Sequence, residues 1–233
     1  HPEMLTLGYL LNQQLVPSLE SITAIQVDWA VESVAVTTAT AIEDIDEKLS
    51  RRTVTTGCGQ GTVFGKLAEK VNRLRLPETT VVQSRLYALL DALHEHNDVY
   101  RRAGAVHGCA LCGFTTDGAP EIDLFVEDVG RHNAADAIAG HMRLTGTAGR
   151  DKVFYTTGRL TSEMVIKVAQ MGIPVLLSRS GITEMGLEFA RRVGVTMIAR
   201  AKGRHFLCYN GAEQIHYDAP PRRPAAVAAG GDR

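Results

Sequence analysis

Between Lys152 and Ala201 the chain alternates short apolar runs with longer amphipathic ones, and that rhythm leaves few folds open. "KVFYTTG" reads as a strand and "TSEMVIKVAQMG" as a helix closed by glycine. "PVLLSRS" is a strand, "TEMGLEFARRVG" a helix again closed by glycine, and "VTMIARA" a strand. Strands and helices that alternate through short glycine-marked connections form parallel crossover units, with the helices covering the sheet.

The flanking sequence extends this unit. Upstream, "AVHGCALCGF" and "EIDLFVEDV" read as two strands joined at "TTDGAP", whose Asp-Gly is a turn signal. "GRHNAADAIAGHMRL" follows as a helix, and "KGRHFLCYN" closes the unit as an edge strand. The expectation is an α/β core over 101–210, a mixed sheet covered by helices. Residues 1–100 read as a smaller N-terminal α+β region. It opens in an amphipathic helix, "HPEMLTLGYLLNQQ", so a preceding segment is expected. "ESITAIQVDWAVESVAVTTA" alternates as two strands about a turn near Trp29. "RRTVTT" is a short strand, "FGKLAEKVNRL" a helix stopped by Pro77, and "TTVVQSRLYALLDALHEHNDVY" one longer helix. Residues 211–233 end in "APPRRPAAVAAGGDR" and are expected to form a disordered tail.

Composition excludes several classes. Hydrophobic residues are 45% and charged residues 22%, an ordinary globular balance. The formal net charge of −1 lacks the basic footprint of a nucleic-acid binder. No apolar run approaches the roughly 20 residues of a membrane helix, and no secretory pattern opens the chain. Four cysteines in 233 residues do not make a disulfide scaffold, so a reduced, cytoplasmic setting is expected.

One cysteine stands apart. Cys58 lies in "TTGCGQGTVFG", among glycines. A phosphate-binding P-loop would need G-x-x-x-x-G-K-[ST], but Gly59 to Gly65 is one residue too long and Leu67 follows Lys66. A dinucleotide fingerprint fails too, because Gly57, Gly59 and Gly61 are evenly spaced. A presented nucleophile remains, since flanking glycines remove steric bulk. The helix expected just downstream would favour a thiolate by about 0.3–1 kcal/mol, less than one pKa unit. An inert loop cysteine is the alternative, and spacing alone does not choose.

Cys109 and Cys112, in "HGCALCG", could form a redox pair or bind metal with His107. On a strand, however, residues 109 and 112 face opposite ways, which points to two buried core cysteines and no metal site. A zinc deaminase would also need H-x-E and P-C-x-x-C, which the sequence lacks.

The strand ends carry a different signal. "EDVGRHNAADA" crowds Asp128, Arg131, His132, Asn133 and Asp136 at a strand-to-helix junction, where α/β proteins bind ligands. Capping by Asp128, with Arg131 and Asp136 on a solvated face, is the alternative. "TTGRLTSEM" repeats the pattern with Gly158 and Arg159 ahead of a cap at Thr161 or Ser162. "LLSRSGIT" repeats it again with Ser178, Arg179, Ser180 and Thr183. Successive strand ends that each offer arginine and hydroxyls or amides suggest one pocket for a phosphate-rich ligand. "ARAKGRH" reads either as a solvated hairpin tip or as the fourth wall of that pocket.

Together, "EDVGRHNA", "GRLTSEM", "GIPVLLSRSGIT" and "ARAKGRHFLCYN" resemble, in the same order, blocks of the FdhD family, the formate dehydrogenase accessory sulfurtransferases. The resemblance runs from about Met4 to Tyr209. It implies a cytidine-deaminase-like core without the zinc site. It implies sulfur transfer from a cysteine desulfurase, through a cysteine persulfide, to the molybdenum bis(molybdopterin guanine dinucleotide) of formate dehydrogenase. That cofactor is here a bound substrate, which GDP-like nucleotides would mimic, with Asp128 or Asp136 as acceptors for the guanine N–H donors. The family's persulfide cysteine matches Cys58, and its guanine-dinucleotide segment matches Arg200, Ala201, Lys202, Gly203, Arg204 and His205. A homodimer in the cytoplasm is expected, and a cofactor-binding chaperone that moves no sulfur is the alternative. One departure stands out: the family's C-x-x-C reads "CGQG" here, so Gly61 replaces the second cysteine.

Overall fold

The structure, a computed structural model, describes residues 1–42 and 74–219. The expected "RRTVTT" strand, nearly all of the "FGKLAEKVNRL" helix, and the glycine loop with Cys58 and Gly61 lie outside the described residues. At the centre is a mixed sheet of six strands in the order β5-β4-β6-β7-β8-β9. These are β4 (His107–Phe114), β5 (Pro120–Asp128), β6 (Val153–Thr156), β7 (Val175–Ser178), β8 (Thr196–Ala199) and β9 (Leu207–Asn210). Strand β4 pairs antiparallel with both β5 and β6, whereas β6, β7 and β8 are parallel and β9 closes the far edge antiparallel.

Every residue of β6, β7 and β8 is buried, which explains their unbroken apolar runs: both faces are covered. On one face Cys109, Leu111, Phe154, Leu176 and Met197 pack under three helices, α4 (Arg131–Thr145), α5 (Ser162–Gln170) and α6 (Glu184–Val193). On the other face Ala110, Cys112, Tyr155, Leu177 and Ile198 pack under α2 (Gln83–Glu95). The stripe Leu86, Leu89, Leu90 and Leu93 supplies that contact, at the spacing that puts side chains on one helix face.

The N-terminal elements complete this body. Helix α1 (Pro2–Asn12) lies across α4 at glycine-to-backbone distance. A Cβ on Gly8 would sit 1.8 Å from the Asp136 carbonyl oxygen, and one on Gly140 would sit 2.0 Å from that of Met4. Between α1 and α2 lies the hairpin of β1 (Ile22–Asp28) and β2 (Ser33–Thr38), with the expected turn at Trp29. The boundary expected near residue 100 therefore does not separate two cores. Helices α1 and α2 come from the 1–100 region, but α1 packs on α4 and α2 on the 101–210 sheet.

Two further expectations change. The single helix expected after Pro77 is three elements: β3 (Val81–Val82), α2, and α3 (Asp98–Ala103). Asn97 breaks it, with a non-helical ψ of 57° and its amide donating back to the Leu93 carbonyl at 2.8 Å. The expected tail also begins later than 211. A strand β10 (Ile215–His216) pairs parallel with β3, and Ile215 is buried against the α2 face. Asp218 then accepts from the Ser84 amide at 2.8 Å. The proline- and alanine-rich composition that suggested disorder belongs to the residues after these.

Candidate functional site

Because β5, β6, β7 and β8 run the same way, their carboxyl ends meet at one edge of the sheet, beside the start of β4. His107 stands opposite Asp128, Cys109 opposite Thr156, and Thr156 opposite Ser178. The connecting loops are stitched to one another by backbone bonds. Leu160 N donates to Gly181 O at 2.9 Å, Arg200 N to Ser180 O at 2.9 Å, and Ala201 N to Ser178 O at 2.9 Å. Ser178 adds a side-chain tie: its hydroxyl donates to the Gly158 carbonyl at 2.7 Å and accepts from Ser180 N at 2.9 Å. The strand ends that the sequence singled out thus form one continuous surface.

Arg159, Arg200, Lys202, Arg204 and His205 are exposed on these loops, and Arg179 is half-buried. Two residues of the last loop adopt the left-handed conformation, Arg200 at φ 53° and Gly203 at φ 55°. For arginine that conformation costs about 1 kcal/mol or more, and such strain concentrates at functional loops. It is held by the two backbone bonds to the β7 loop, and it lays the guanidinium over Gly181, where a Cβ would come within 3.1 Å. Arg179 turns to the opposite face and hydrogen-bonds the Tyr155 hydroxyl. Burial pushes that phenol above its ordinary range, so it stays protonated beside the guanidinium.

On that face the edge opens into a pocket of about 450 Å³. Tyr155, Arg179 and Lys202 line one side, and Leu90, Asp91 and Asn97 of the α2 end line the other. Sequence reasoning missed this second wall. The signal was an acidic and polar stripe, Asp91, His94 and Glu95, at helical spacing, but its partner strands lie more than sixty residues away.

Other expected ligands turn inward. Helix α4 is buried nearly all round because the sheet and α1 sandwich it, so Arg131 and Asp136 do not occupy a solvated face. Arg131 is 5% exposed and packs its stem on Gly158, where a Cβ would sit 2.6 Å from Cδ. His132 is 3% exposed and sits 3.3 Å, Nε2 to Oε2, from Glu163. Burial, then the charges of Lys167 and Arg131, push the imidazole down to about 3. It is therefore neutral, and the Glu163 contact is a hydrogen bond from Nε2–H rather than an ion pair. Asp136 is fully buried, paired with Lys167 Nζ at 2.6 Å and accepting from Asn12 Nδ2 at 2.7 Å. It cannot reach a base at the edge. Asp128 accepts from Gly130 N at 2.7 Å and Asn133 Nδ2 at 3.0 Å, which organises the start of α4. Of the expected cluster here, the structure keeps Asp128 and Asn133 as a turn and sends the rest into the core.

Cys109 and Cys112 lie on opposite faces of the sheet, one in each apolar cluster. Burial pushes the Cys109 thiol up to about 12, and it contacts Thr156 Oγ1 at 3.2 Å. Burial raises Cys112 further. Neither is a nucleophile at neutral pH.

A sulfur carrier protein FdhD of Listeria innocua is 29% identical over 219 residues, covering 92% of this chain and 82% of that one. The Bacillus subtilis sulfur carrier protein FdhD is 27% identical over 217 residues, covering 92% and 80%. A crystal structure from Desulfotalea psychrophila, assigned as a formate dehydrogenase accessory protein, superposes with a TM-score of 0.71 at 26% identity, covering 92% of this chain and 80% of that one. The FdhD/NarQ family model matches residues 1–216, and the chain belongs to the FdhD/NarQ family.

Proposed function

We propose that this protein accepts sulfur from a cysteine desulfurase as a persulfide on Cys58. It passes that sulfur to the molybdenum bis(molybdopterin guanine dinucleotide) substrate of formate dehydrogenase. The observation that carries the reading is the sheet edge, where the stitched strand-end loops carry Arg159, Arg200, Lys202 and Arg204, with Arg179 turned towards the Tyr155 pocket. Arginine matches phosphate through paired N–H donors, and a substrate with two guanine dinucleotides brings phosphates in number. The segment Arg200 to His205, which the family resemblance assigns to that substrate, forms part of this edge.

The chemistry uses few groups. The Cys58 thiolate attacks the outer sulfur of the donor's persulfide, a new S–S bond forms, and the donor cysteine leaves as a thiolate. The zero-valent terminal sulfur is then handed on, which leaves Cys58 as a thiolate. The buried thiols of Cys109 and Cys112 do not compete for the sulfane sulfur. Gly61 removes the neighbouring thiol that could attack the persulfide and expel sulfide. A cytidine-deaminase-like core without the zinc site, a homodimer and a cytoplasmic location belong to the same reading. No helix among the described residues is long and apolar enough to cross a membrane.

The test is mass spectrometry of the protein after incubation with a cysteine desulfurase and cysteine. The expected result is a gain of one sulfur atom, absent in Cys58→Ser. If Cys58→Ser still supports formate dehydrogenase maturation in full, the protein holds the cofactor without moving sulfur.

A further inference from the structure

The sequence offers Ser178 as a direct ligand contact, yet it is fully buried at the end of β7, and no ligand at the edge can touch it. What it touches is the loops. A serine hydroxyl has one proton and two lone pairs. The proton goes to the Gly158 carbonyl at 2.7 Å, in the loop after β6. A lone pair takes the Ser180 amide at 2.9 Å, in the loop after β7. The Ser180 carbonyl in turn accepts from Arg200 N, in the loop after β8. One buried hydroxyl therefore joins three consecutive loops in series.

The ends of this series lie beside arginines. Gly158 precedes Arg159 and is clamped from two further sides. The Thr156 hydroxyl accepts its N–H at 3.1 Å, and the Arg131 stem fills the space that a Cβ would need. Leu160, on the other side of Arg159, donates to Gly181 O at 2.9 Å and accepts from Thr183 N at 3.0 Å. The backbone of Arg159 is thus bracketed by ties, although its side chain is exposed. Arg200 is held through its own N–H in the left-handed conformation. Arg179 has a separate anchor in the Tyr155 hydroxyl. Binding groups work only when held within about 0.5 Å of the productive geometry, by neighbours that need not touch the ligand. Thr156 and Ser178, both fully buried, are placed to do this.

We propose that the buried hydroxyls of Ser178 and Thr156 are positioning groups for the phosphate grip. Ser178 fixes the loops of Arg159 and Arg200 relative to each other, so that the two act on the ligand's phosphates as one unit. Thr156 fixes Arg159 alone. The inference rests on the phosphate-gripping role proposed above for these arginines, and the experiment separates the two.

GDP is titrated by calorimetry into the full chain and into Ser178→Ala, Thr156→Val and Gly140→Ala. The titrations of the two hydroxyl variants are repeated in chains that also carry Arg159→Ala, Arg200→Ala or both. Ser178→Ala should weaken GDP about ten-fold in the parent, and about two-fold or less where both arginines are gone, because neither is left to misplace. Thr156→Val, which keeps the side-chain volume, should weaken GDP in the parent and in Arg200→Ala but not in Arg159→Ala. It carries the test by itself if Ser178→Ala does not fold. Gly140→Ala disturbs the contact of α1 with α4 and should bind GDP as the parent does, which separates position from stability. If the hydroxyl variants bind GDP as the parent does, or lose as much without the arginines as with them, the hydroxyls only satisfy the backbone and this inference falls alone. The same holds if Gly140→Ala loses affinity to the same extent. If GDP does not bind the parent, or binds the double arginine variant equally well, the inference and the phosphate-gripping reading fall together.

Discussion

Replacing Lys167 by methionine tests whether the block "EDVGRHNAADA" serves the core or the ligand. Lys167 is 1% exposed, and its ammonium sits 2.6 Å from Asp136, which is fully buried. The same ammonium donates to the His132 carbonyl at 3.4 Å, and Asn12 of α1 holds the other Asp136 oxygen. Methionine keeps most of the lysine stem, so little cavity is created. What remains is a buried carboxylate with one neutral donor. Breaking a buried pair in this way costs about 3–5 kcal/mol. Set against a typical domain stability of about 5–15 kcal/mol, that is about a fifth of the total or more. At about 2–4 °C per kcal/mol for a chain of this size, the midpoint should fall by roughly 6–20 °C. The assay is urea unfolding, with a second substitution, Asp136→Asn, added to the first. The neutral amide removes the stranded charge, so the double variant should be more stable than Lys167→Met alone. Nucleotide affinity of the folded variants should not change, because the pair lies beneath α4 and not at the edge. A loss under about 1 kcal/mol, or a second substitution whose cost simply adds to the first, would refute the account.

Two further outcomes follow from the same packing. Gly140→Ala should destabilise by about 1–3 kcal/mol, because its Cβ would meet the Met4 carbonyl oxygen at 2.0 Å. Helix propensity alone would make alanine stabilising by about 1 kcal/mol, so the sign measured by urea unfolding decides. The second concerns pH. Folded His132 takes its proton only near 3, whereas the unfolded residue takes it near 6.5, so the unfolded state binds the extra proton in between. Stability should therefore decline as pH falls from about 6.5 towards 3, by up to about 1.4 kcal/mol per unit from this residue. His132→Gln should flatten the slope of stability against pH in that window, and an unchanged slope would show that the imidazole is protonated in the fold.

The parts of this molecule that the sequence discloses are those specified locally. Strands β4 to β9 and their helices could be read in order because each is bounded by its own glycine, aspartate or threonine, as at Gly130, Gly172, Thr183 and Gly194. Likewise a basic residue beside a strand end is visible in the sequence without reference to anything distant. The remainder is pairwise. His132 and Asp136 are four apart on α4, and Glu163 and Lys167 are four apart on α5. Each pair could have been a solvated ladder, and only the packing of one helix against the other turns them inward as partners. The leucine stripe of α2 shows that the helix buries one face but not which sheet covers it, which is why a boundary at residue 100 looked natural. The same gap hid half of the pocket. Its basic wall lies on consecutive loops and could be inferred from them. Its acidic wall, Asp91, comes from a helix that the sequence assigns to another region. For a pocket built this way, the basic loops are legible in one dimension, and the wall that faces them exists only once the chain has folded.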